Sequence, residues 1–338
     1  MNIGIIGLGM AAKNFHLPLL KLTPYFNVTA VLSEKSQKEI ERLVDNVTVF
    51  RDLADFSESD LFELAIVLTP NHLHFVQAKK LLQNNKHVVV DKPLAISVDE
   101  VQTLKILAEK NNCLLTIFNN RRWDGDFITI QKLLRENTLG QLTYFESRFD
   151  KYRPEPSSKW KEDDFPGSGL LFDLMPHLGD QAFQLFGLPE AIFGQVAVQR
   201  KGGVVADYFN VKLIYPTLEV VLRSSSLAAF SPYRFYLEGT KGSFIKQHFD
   251  VQETLLQYKD ANEKWIVEPE TNFGHIYRGE EPVVVPTIPG DYRCFYQNLE
   301  RFFSVGEALA VTPEDAVNTA LLIEKILKSS EENKVVDW

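Results

Sequence analysis

The run Asn2-Ile3-Gly4-Ile5-Ile6-Gly7-Leu8-Gly9-Met10-Ala11-Ala12 decides the reading of this chain. An apolar strand gives way to Gly-x-Gly-x-x-Ala and then to a helical stretch carrying Leu17, Leu19 and Leu20. At such a turn Gly7 permits the tight bend, Gly9 lets backbone approach a pyrophosphate, and Ala12 is small enough for close helix packing. Backbone N–H groups around Met10, Ala11 and Ala12 are then aimed at the anion. Alone the motif is a weak signal, and a plain structural turn is the rival reading. Its context, after an apolar strand and before a helix, favours a dinucleotide site.

Moving outward, the strand Val28 to Leu32 ends at Ser33-Glu34-Lys35, about twenty residues past the fingerprint, where an adenosine ribose should lie. Ser33 with Lys35 suits a 2′-phosphate and favours NADP(H), whereas Glu34 turned to the diol would favour NAD(H). Leu61 to Leu68 reads as another buried strand. It ends at Thr69-Pro70-Asn71-His72-Leu73-His74, with Asn71 as an N-cap and a helix running towards Gln83. Those residues suit ribose and phosphate contact, although a turn with surface histidines fits them nearly as well. Next, Val88-Val89-Val90 stops at Asp91-Lys92-Pro93. A continuous apolar run is the mark of a buried parallel strand, and ligands gather outside the carboxyl ends of such strands, so Lys92 is expected there as the reacting amine. An isolated Lys-Pro would ordinarily be a solvated surface lysine. Ser97 caps a helix through about Lys110, Leu114 to Phe118 closes the βα alternation, and the first domain is expected over residues 1–120.

Length and composition fit this picture. A chain of 338 residues exceeds the ~250–300 at which single cores stop growing, so two domains are expected. Its 45% hydrophobic and 24% charged residues are those of a soluble globular protein. A net charge of −9 argues against nucleic acid as a partner. Cys113 and Cys294 are the only cysteines, which suits a reducing cytoplasm. Neither a secretory leader nor an apolar run near ~18 residues is present, so no membrane role is expected.

The second domain is expected over residues 121–338. A helix from about Asp124 to Glu136 leads to a strand at Leu142 to Phe149. Alternation then takes over: Phe209, Val211, Leu213 and Tyr215 against Leu218, Val220 and Leu222, turning at Pro216-Thr217. Phe235 to Leu237 and Gly242 to Ile245 continue it. The expected class is α/β, an N-terminal doubly wound parallel (Rossmann) sheet followed by an α+β domain with a large, mainly antiparallel, open-faced sheet. Its uncovered face is expected to be apolar and to make a homodimer or homotetramer. Tyr292, Phe295, Leu299, Phe302 and Phe303 read as a core stripe, and Thr312-Pro313 starts a last helix with Ala316, Ala320, Ile323 and Leu327 buried.

A second chemical stretch is Gly167-Ser168-Gly169-Leu170-Leu171-Phe172-Asp173-Leu174-Met175-Pro176-His177. Asp173 reads as a helix cap with Pro176 in the first turn, where a missing N–H costs little. Asp173 and His177, four apart, share a face. By itself this is a cap followed by a partly buried histidine.

The fingerprint, Thr69-Pro70-Asn71-x-x-His74, Lys86-His87-Val88 and Asp91-Lys92-Pro93-Leu94, in that order, resemble the Gfo/Idh/MocA family of pyridine-nucleotide sugar and polyol oxidoreductases. The family usually has Glu-Lys-Pro, so Asp91 shortens that acid by one methylene. Asn120-Arg121-Arg122-Trp123-Asp124-x-Asp126-Phe127, Tyr152-Arg153-Pro154-Glu155 and Trp160 resemble its subgroup containing NADP-dependent scyllo-inositol dehydrogenases. The resemblance implies cofactor contacts at Gly7, Gly9, Met10, Ala11, Ala12, Ser33, Lys35, Thr69, Pro70, Asn71, His74, Asp91, Lys92, Pro93, Asn120, Arg122 and Trp123. It implies catalysis by Lys92, Asp173 and His177, and a small polyol or sugar substrate met by those three with Asn120, Tyr152 and Arg153. Asp150, Glu155 and Trp160 are weaker candidates.

The expected reaction moves a hydride between C4 of the nicotinamide and a ring carbon, with NADP(H) preferred and NAD(H) possible. His177, with an ordinary pKa near ~6.5, suits the hydroxyl proton. Lys92 would bond the same oxygen and stabilise alkoxide charge, its own pKa lowered by the nicotinamide cation. Asp173 would orient His177; whether Lys92 or His177 transfers the proton stays open. One rival is a non-catalytic NAD(P)-sensing regulator of the same fold, which would not need all three residues. A metal-dependent hydrolase is disfavoured, because His16, His72, His74, His87, His248 and His275 show no ligand spacing with Asp173 and His177.

Overall fold

The computed structural model describes residues 1–257 and 268–338. In the first of two compact units, six parallel strands stand in the order β3-β2-β1-β4-β5-β6. They are β1 (Asn2–Ile6), β2 (Asn27–Leu32), β3 (Thr48–Phe50), β4 (Leu64–Val67), β5 (His87–Val90) and β6 (Leu115–Ile117). This is the doubly wound order, in which the chain leaves β1 in opposite directions on its two sides. Leu64–Val67 and Val88–Val90 are wholly buried, as strands covered on both faces must be. The crossovers are α1 (Leu17–Lys21), α2 (Gln37–Glu41), α3 (Leu53–Glu58), α4 (Asn71–Gln83) and α5 (Val98–Lys110).

Side-chain caps set three of these five helix starts. Ser36 and Glu39 form a reciprocal cap on α2, Asp52 accepts from Ala54 and Asp55 N–H at α3, and Ser97 accepts from Glu100 N–H at α5. Asn71 differs from expectation. Pro70 occupies the cap and Asn71 is already the first helical residue, because the proline ring holds extended backbone and the helix begins directly after it.

Beyond Met1–Asn120, the first unit takes in α8 (Gln252–Gln257) and Tyr292–Ala320, which includes α9 (Arg293–Val305). These segments lie outside the span 1–120 expected for the first domain. Burial drives the return: Tyr292, Phe295, Tyr296 and Leu299 are all buried, with Phe295 edge-on to Phe118 of the first unit at 4.9 Å. Tyr292, Phe295 and Leu299 of the aromatic stripe are therefore core, though of the first unit, while Phe302 and Phe303 are half-buried.

The second unit holds α6 (Gly125–Arg135), α7 (Gly169–Phe186) and, from Leu321 on, the later residues of α10 (Pro313–Glu332). Its nine-stranded sheet runs β14-β13-β12-β11-β7-β10-β9-β8-β15. In chain order the strands are β7 (Leu142–Arg148), β8 (Ala191–Ala197), β9 (Tyr208–Ile214), β10 (Glu219–Ser225), β11 (Phe235–Gly239), β12 (Gly242–Lys246), β13 (Gly274–Tyr277), β14 (Val283–Val285) and β15 (Val336–Asp337). All pairs are antiparallel except β7 with β10. One face packs Phe145, Phe209, Val211, Leu213, Val220 and Leu222 under the three helices. On α10 Ala316, Ala320 and Ile323 are buried as expected, while Leu327 is exposed and Ile326 takes its place in the core.

The opposite face is mixed, with apolar side chains interleaved among tyrosines and charged groups. Its alternate positions include Tyr144, Glu146, Arg148, Tyr208, Lys212, Glu219, Arg223 and Tyr236 together with Phe193, Ile214, Val221, Ile245 and Val284. Glu146, nearly buried, accepts from Tyr144 Oη at 2.8 Å, Tyr233 Oη at 2.7 Å and Arg148 Nε at 2.5 Å. Burial with this carboxylate pushes the Tyr233 phenol up to about 12.

In the first unit, His16 is fully buried, with Nδ1 2.6 Å from Tyr296 Oη, and burial depresses its pKa from 6.5 to about 4 against the opposing pull of Asp91. An unfolded chain takes up that proton first. Stability should therefore fall as pH drops from 6.5 towards 4, by roughly 3 kcal/mol from this group. The check is the urea midpoint followed across that range; a flat profile above pH 5 would contradict the assignment.

Candidate active site

In the first unit, Gly7 has φ +89°, and a Cβ there would meet the Leu68 carbonyl oxygen at 2.9 Å. Only glycine lets β1 turn this close beside β4. Gly9 is the converse: a Cβ would meet nothing within 4 Å. Its lack of a side chain is unexplained by packing and leaves open the space a pyrophosphate needs. Helical backbone starts at Met10 and runs to Lys21, passing through a π turn at Ala12–His16. Met10 is 59% exposed and Ala12 wholly buried. The residues here fit a dinucleotide.

The ends of β4 and β5 are tied together by His74, which is 1% exposed. Its Nε2 lies 2.8 Å from the Thr69 carbonyl and its Nδ1 2.7 Å from the Pro93 carbonyl. Burial lowers the His74 pKa, while those two carbonyls and Asp91 pull it up. Thr69 donates its hydroxyl to Gln77 Oε1 at 2.6 Å. Asp91 Oδ1 accepts the Lys92 N–H at 2.9 Å, and the Asp91 N–H bonds Val67 across the sheet. Thr69, Pro70, Asn71, His74, Asp91, Lys92 and Pro93 thus share one edge of the sheet with Gly7 and Gly9, where the order of strands reverses.

At the ribose end, Ser33 Oγ accepts the Lys35 N–H at 3.2 Å, and Lys35 Nζ lies 3.7 Å from Glu39. Sequence reasoning missed Arg51. It follows β3, which pairs with β2, and its guanidinium donates to the Ser33 carbonyl. A lone arginine after a short, weakly patterned strand gives no signal in sequence. Asn119 was missed too. It is buried just past β6, next to β5, and neither amide atom meets a hydrogen-bond partner among the described residues. Asn120, also buried, opens the 3₁₀ turn Asn120–Trp123.

In the second unit, α7 starts at Gly169 after Ser168, so Asp173 lies inside the helix rather than at its cap and Pro176 is interior. Leu171, Leu174, Met175 and Leu178 bury this part of the helix, and that burial carries helical structure through the proline. The four-residue spacing of Asp173 and His177 is unaffected. Asp173 Oδ1 accepts from Lys161 Nζ at 2.5 Å, and His177 is 7% exposed. Arg122 is engaged by Asp180 through two bonds of 2.8 and 2.5 Å, while the Trp123 carbonyl accepts from Asp291 N–H. Tyr152 is 59% exposed and bridges to Leu227. Arg153 is exposed and lines a cleft with Lys159, Lys161, Glu162, Asp173 and Arg200. Asp150 is buried against Arg223 and Ser231, a structural setting. Among the described residues no group of three or more His, Cys, Asp or Glu is placed to hold a metal, and no helix is long and apolar enough to cross a membrane.

The two glycines should separate on substitution. Gly9→Val is expected to weaken binding of the reduced nicotinamide nucleotide on the order of tenfold or more with little change in melting temperature, whereas Gly7→Ala should lower both. Fluorescence titration and thermal melts read the difference; intact binding in Gly9→Val would contradict the placement.

Residues 1–118 match the family model described as oxidoreductase family, NAD-binding Rossmann fold, and residues 127–245 match the GFO/IDH/MocA C-terminal domain. The chain is 32% identical to the scyllo-inositol 2-dehydrogenase (NADP(+)) of Bacillus subtilis, with 99% of this chain and 95% of that protein covered. It is 36% identical to the oxidoreductase YdgJ of Escherichia coli, covering 98% and 96%. The solved structure of the Bacillus subtilis oxidoreductase YvaA superposes with a TM-score of 0.94 at 31% identity, covering 100% of this chain and 98% of that one. With both of its domains matched, the chain belongs to the Gfo/Idh/MocA family of oxidoreductases and is an NAD(P)-dependent dehydrogenase acting on CH–OH groups.

Proposed function

We propose that the substrate is a cyclic polyol or sugar, oxidised at a ring hydroxyl or reduced at the matching ketone, with scyllo-inositol and its inosose the first pair to try. The observation that carries this reading is Lys92 at the carboxyl end of β5, two strands from the glycine turn of β1. Bound NADP(H) supplies or accepts the hydride. Lys92 Nζ would hydrogen-bond the reacting oxygen and stabilise charge developing on it. His177 would give that oxygen its proton in the reducing direction and remove it in the oxidising one, with Asp173 on the same helix face favouring the imidazolium. Asn120, Tyr152 and Arg153 are the proposed partners of the other hydroxyls.

For the nucleotide we propose NADP(H) over NAD(H). Support comes from Ser33 and Lys35 at the end of β2, from the Arg51 guanidinium beside them, and from the NADP-dependence named for the Bacillus subtilis relative. An enzyme drawing on that nucleotide would work in the cytoplasm. We further propose a homodimer or homotetramer through the tyrosine-rich face of the large sheet; a monomer mass by sedimentation at micromolar concentration would remove that step.

A spectrophotometric screen at 340 nm, with inositols, aldoses and their ketones against both nucleotides, tests the reading. Lys92→Ala and His177→Ala should each lower turnover on the order of 10²- to 10⁴-fold while NADPH binding persists; near-normal turnover in either removes that residue from the chemistry. Arg51→Ala should raise KM for NADPH on the order of tenfold and leave KM for NADH nearly unchanged. An equal effect on both would remove Arg51 from the phosphate site.

A further inference from the structure

We propose that Lys161 is a positioning residue that sets the proton affinity of His177 through Asp173, an inference that rests on reading Asp173 and His177 as the proton-handling pair. Lys161 Nζ lies 2.5 Å from Asp173 Oδ1, and no motif pointed to it. It occupies the 3₁₀ turn Trp160–Glu162, which is braced on both sides. On one side Arg200 grips Glu162 through Nη1 to Oε1 at 3.3 Å and Nη2 to Oε2 at 2.5 Å. Arg200 is buried and held in turn by Asp207, whose Oδ2 accepts from both its Nε and its backbone N–H at 3.0 Å. On the other side Ser168, the residue before α7, donates its hydroxyl to the Trp160 carbonyl at 3.3 Å. A lysine so mounted is fixed relative to the helix that carries Asp173 and His177.

The ion pair is about a third exposed on both sides, so it adds little to stability. Its effect is local. A carboxylate one helical turn from a histidine favours the imidazolium, and a cation on that carboxylate offsets the effect. The other charges around the cleft are Arg153, Lys159, Glu162 and Arg200, of which Arg200 is taken up by Glu162 and Asp207. On α7 itself, Asp180 is taken up by Arg122. Removing the Lys161 charge therefore strengthens the field of Asp173 at His177 without disturbing those pairs.

The test is an NMR titration of the His177 imidazole in the full-length protein, assigned by its loss in His177→Gln, alongside the pH profile of ketone reduction. Lys161→Met and Lys161→Gln should each raise the His177 pKa by about 0.3 to 1 unit and carry the alkaline limb of reduction up with it. Lys161→Arg should restore both. A purely bracing role would lower turnover and leave the titration where it was, so an unmoved His177 pKa in the neutral variants overturns the proposal. A shifted titration in an enzyme that turns over no polyol leaves the coupling intact and removes the proposed function instead.

Discussion

The close passage of β1 against β4 at the carboxyl edge of the parallel sheet is the constraint on which the nucleotide end of this protein depends. Leu68 N–H bonds the Ile6 carbonyl at 2.8 Å, and Gly7 then turns away with no room for a Cβ beside Leu68. On one side of β1 stand β2 and β3, on the other β4, β5 and β6. The crevice opened by that divergence is where backbone donors and the ends of β4 and β5 would face one ligand. His74, with one ring nitrogen against the Thr69 carbonyl and the other against the Pro93 carbonyl, packs between the two strand ends. Asp91 supplies negative charge just behind, felt by His16, His74 and Tyr296. A nicotinamide ring, cationic when oxidised, is the kind of group such a setting favours.

The second unit solves a different problem, that of keeping polar side chains fixed inside a helix-on-sheet core. It does so with complete ion pairs, Arg122 with Asp180 and Arg200 with Asp207 and Glu162. Such pairs add little net stability compared with apolar substitutes, but losing one partner strands a buried charge at about 3–5 kcal/mol. Their value here is geometric. Arg122 ties the turn leading out of the first unit to the helix that carries His177, three residues before Asp180, and Arg200 fixes the turn that carries Lys161.

Much of this was legible in the chain. The apolar runs of β1, β4 and β5 and the glycine spacing gave the parallel sheet, because buried strands and tight turns admit few residue types. The alternation of Phe209 to Tyr215 and Leu218 to Leu222 likewise announced the antiparallel β9 and β10. The return of α9 to the first unit was not legible, since an aromatic stripe says that a helix is buried and not against what. Nor was the start of α7 at Gly169: tertiary burial of Leu171 and Leu174 outweighs the local preference for proline in a first turn. The open face of the large sheet was legible only in part, for a related reason. Alternation marks the inward residues, but the outward tyrosines only acquire meaning when Glu146 is seen gathering two of them. Arg51, Asn119 and Lys161 carry no pattern at all, each becoming visible through a single partner or the lack of one.

Hydride transfer is the central claim, and isotope transfer tests it most directly. NAD(P)H carrying deuterium at the reactive C4 position, incubated with a ketone that the wild-type enzyme reduces, should yield an alcohol with one deuteron on the new carbinol carbon by mass spectrometry. Product formed without that label, or labelled from solvent deuterium instead, would contradict the account.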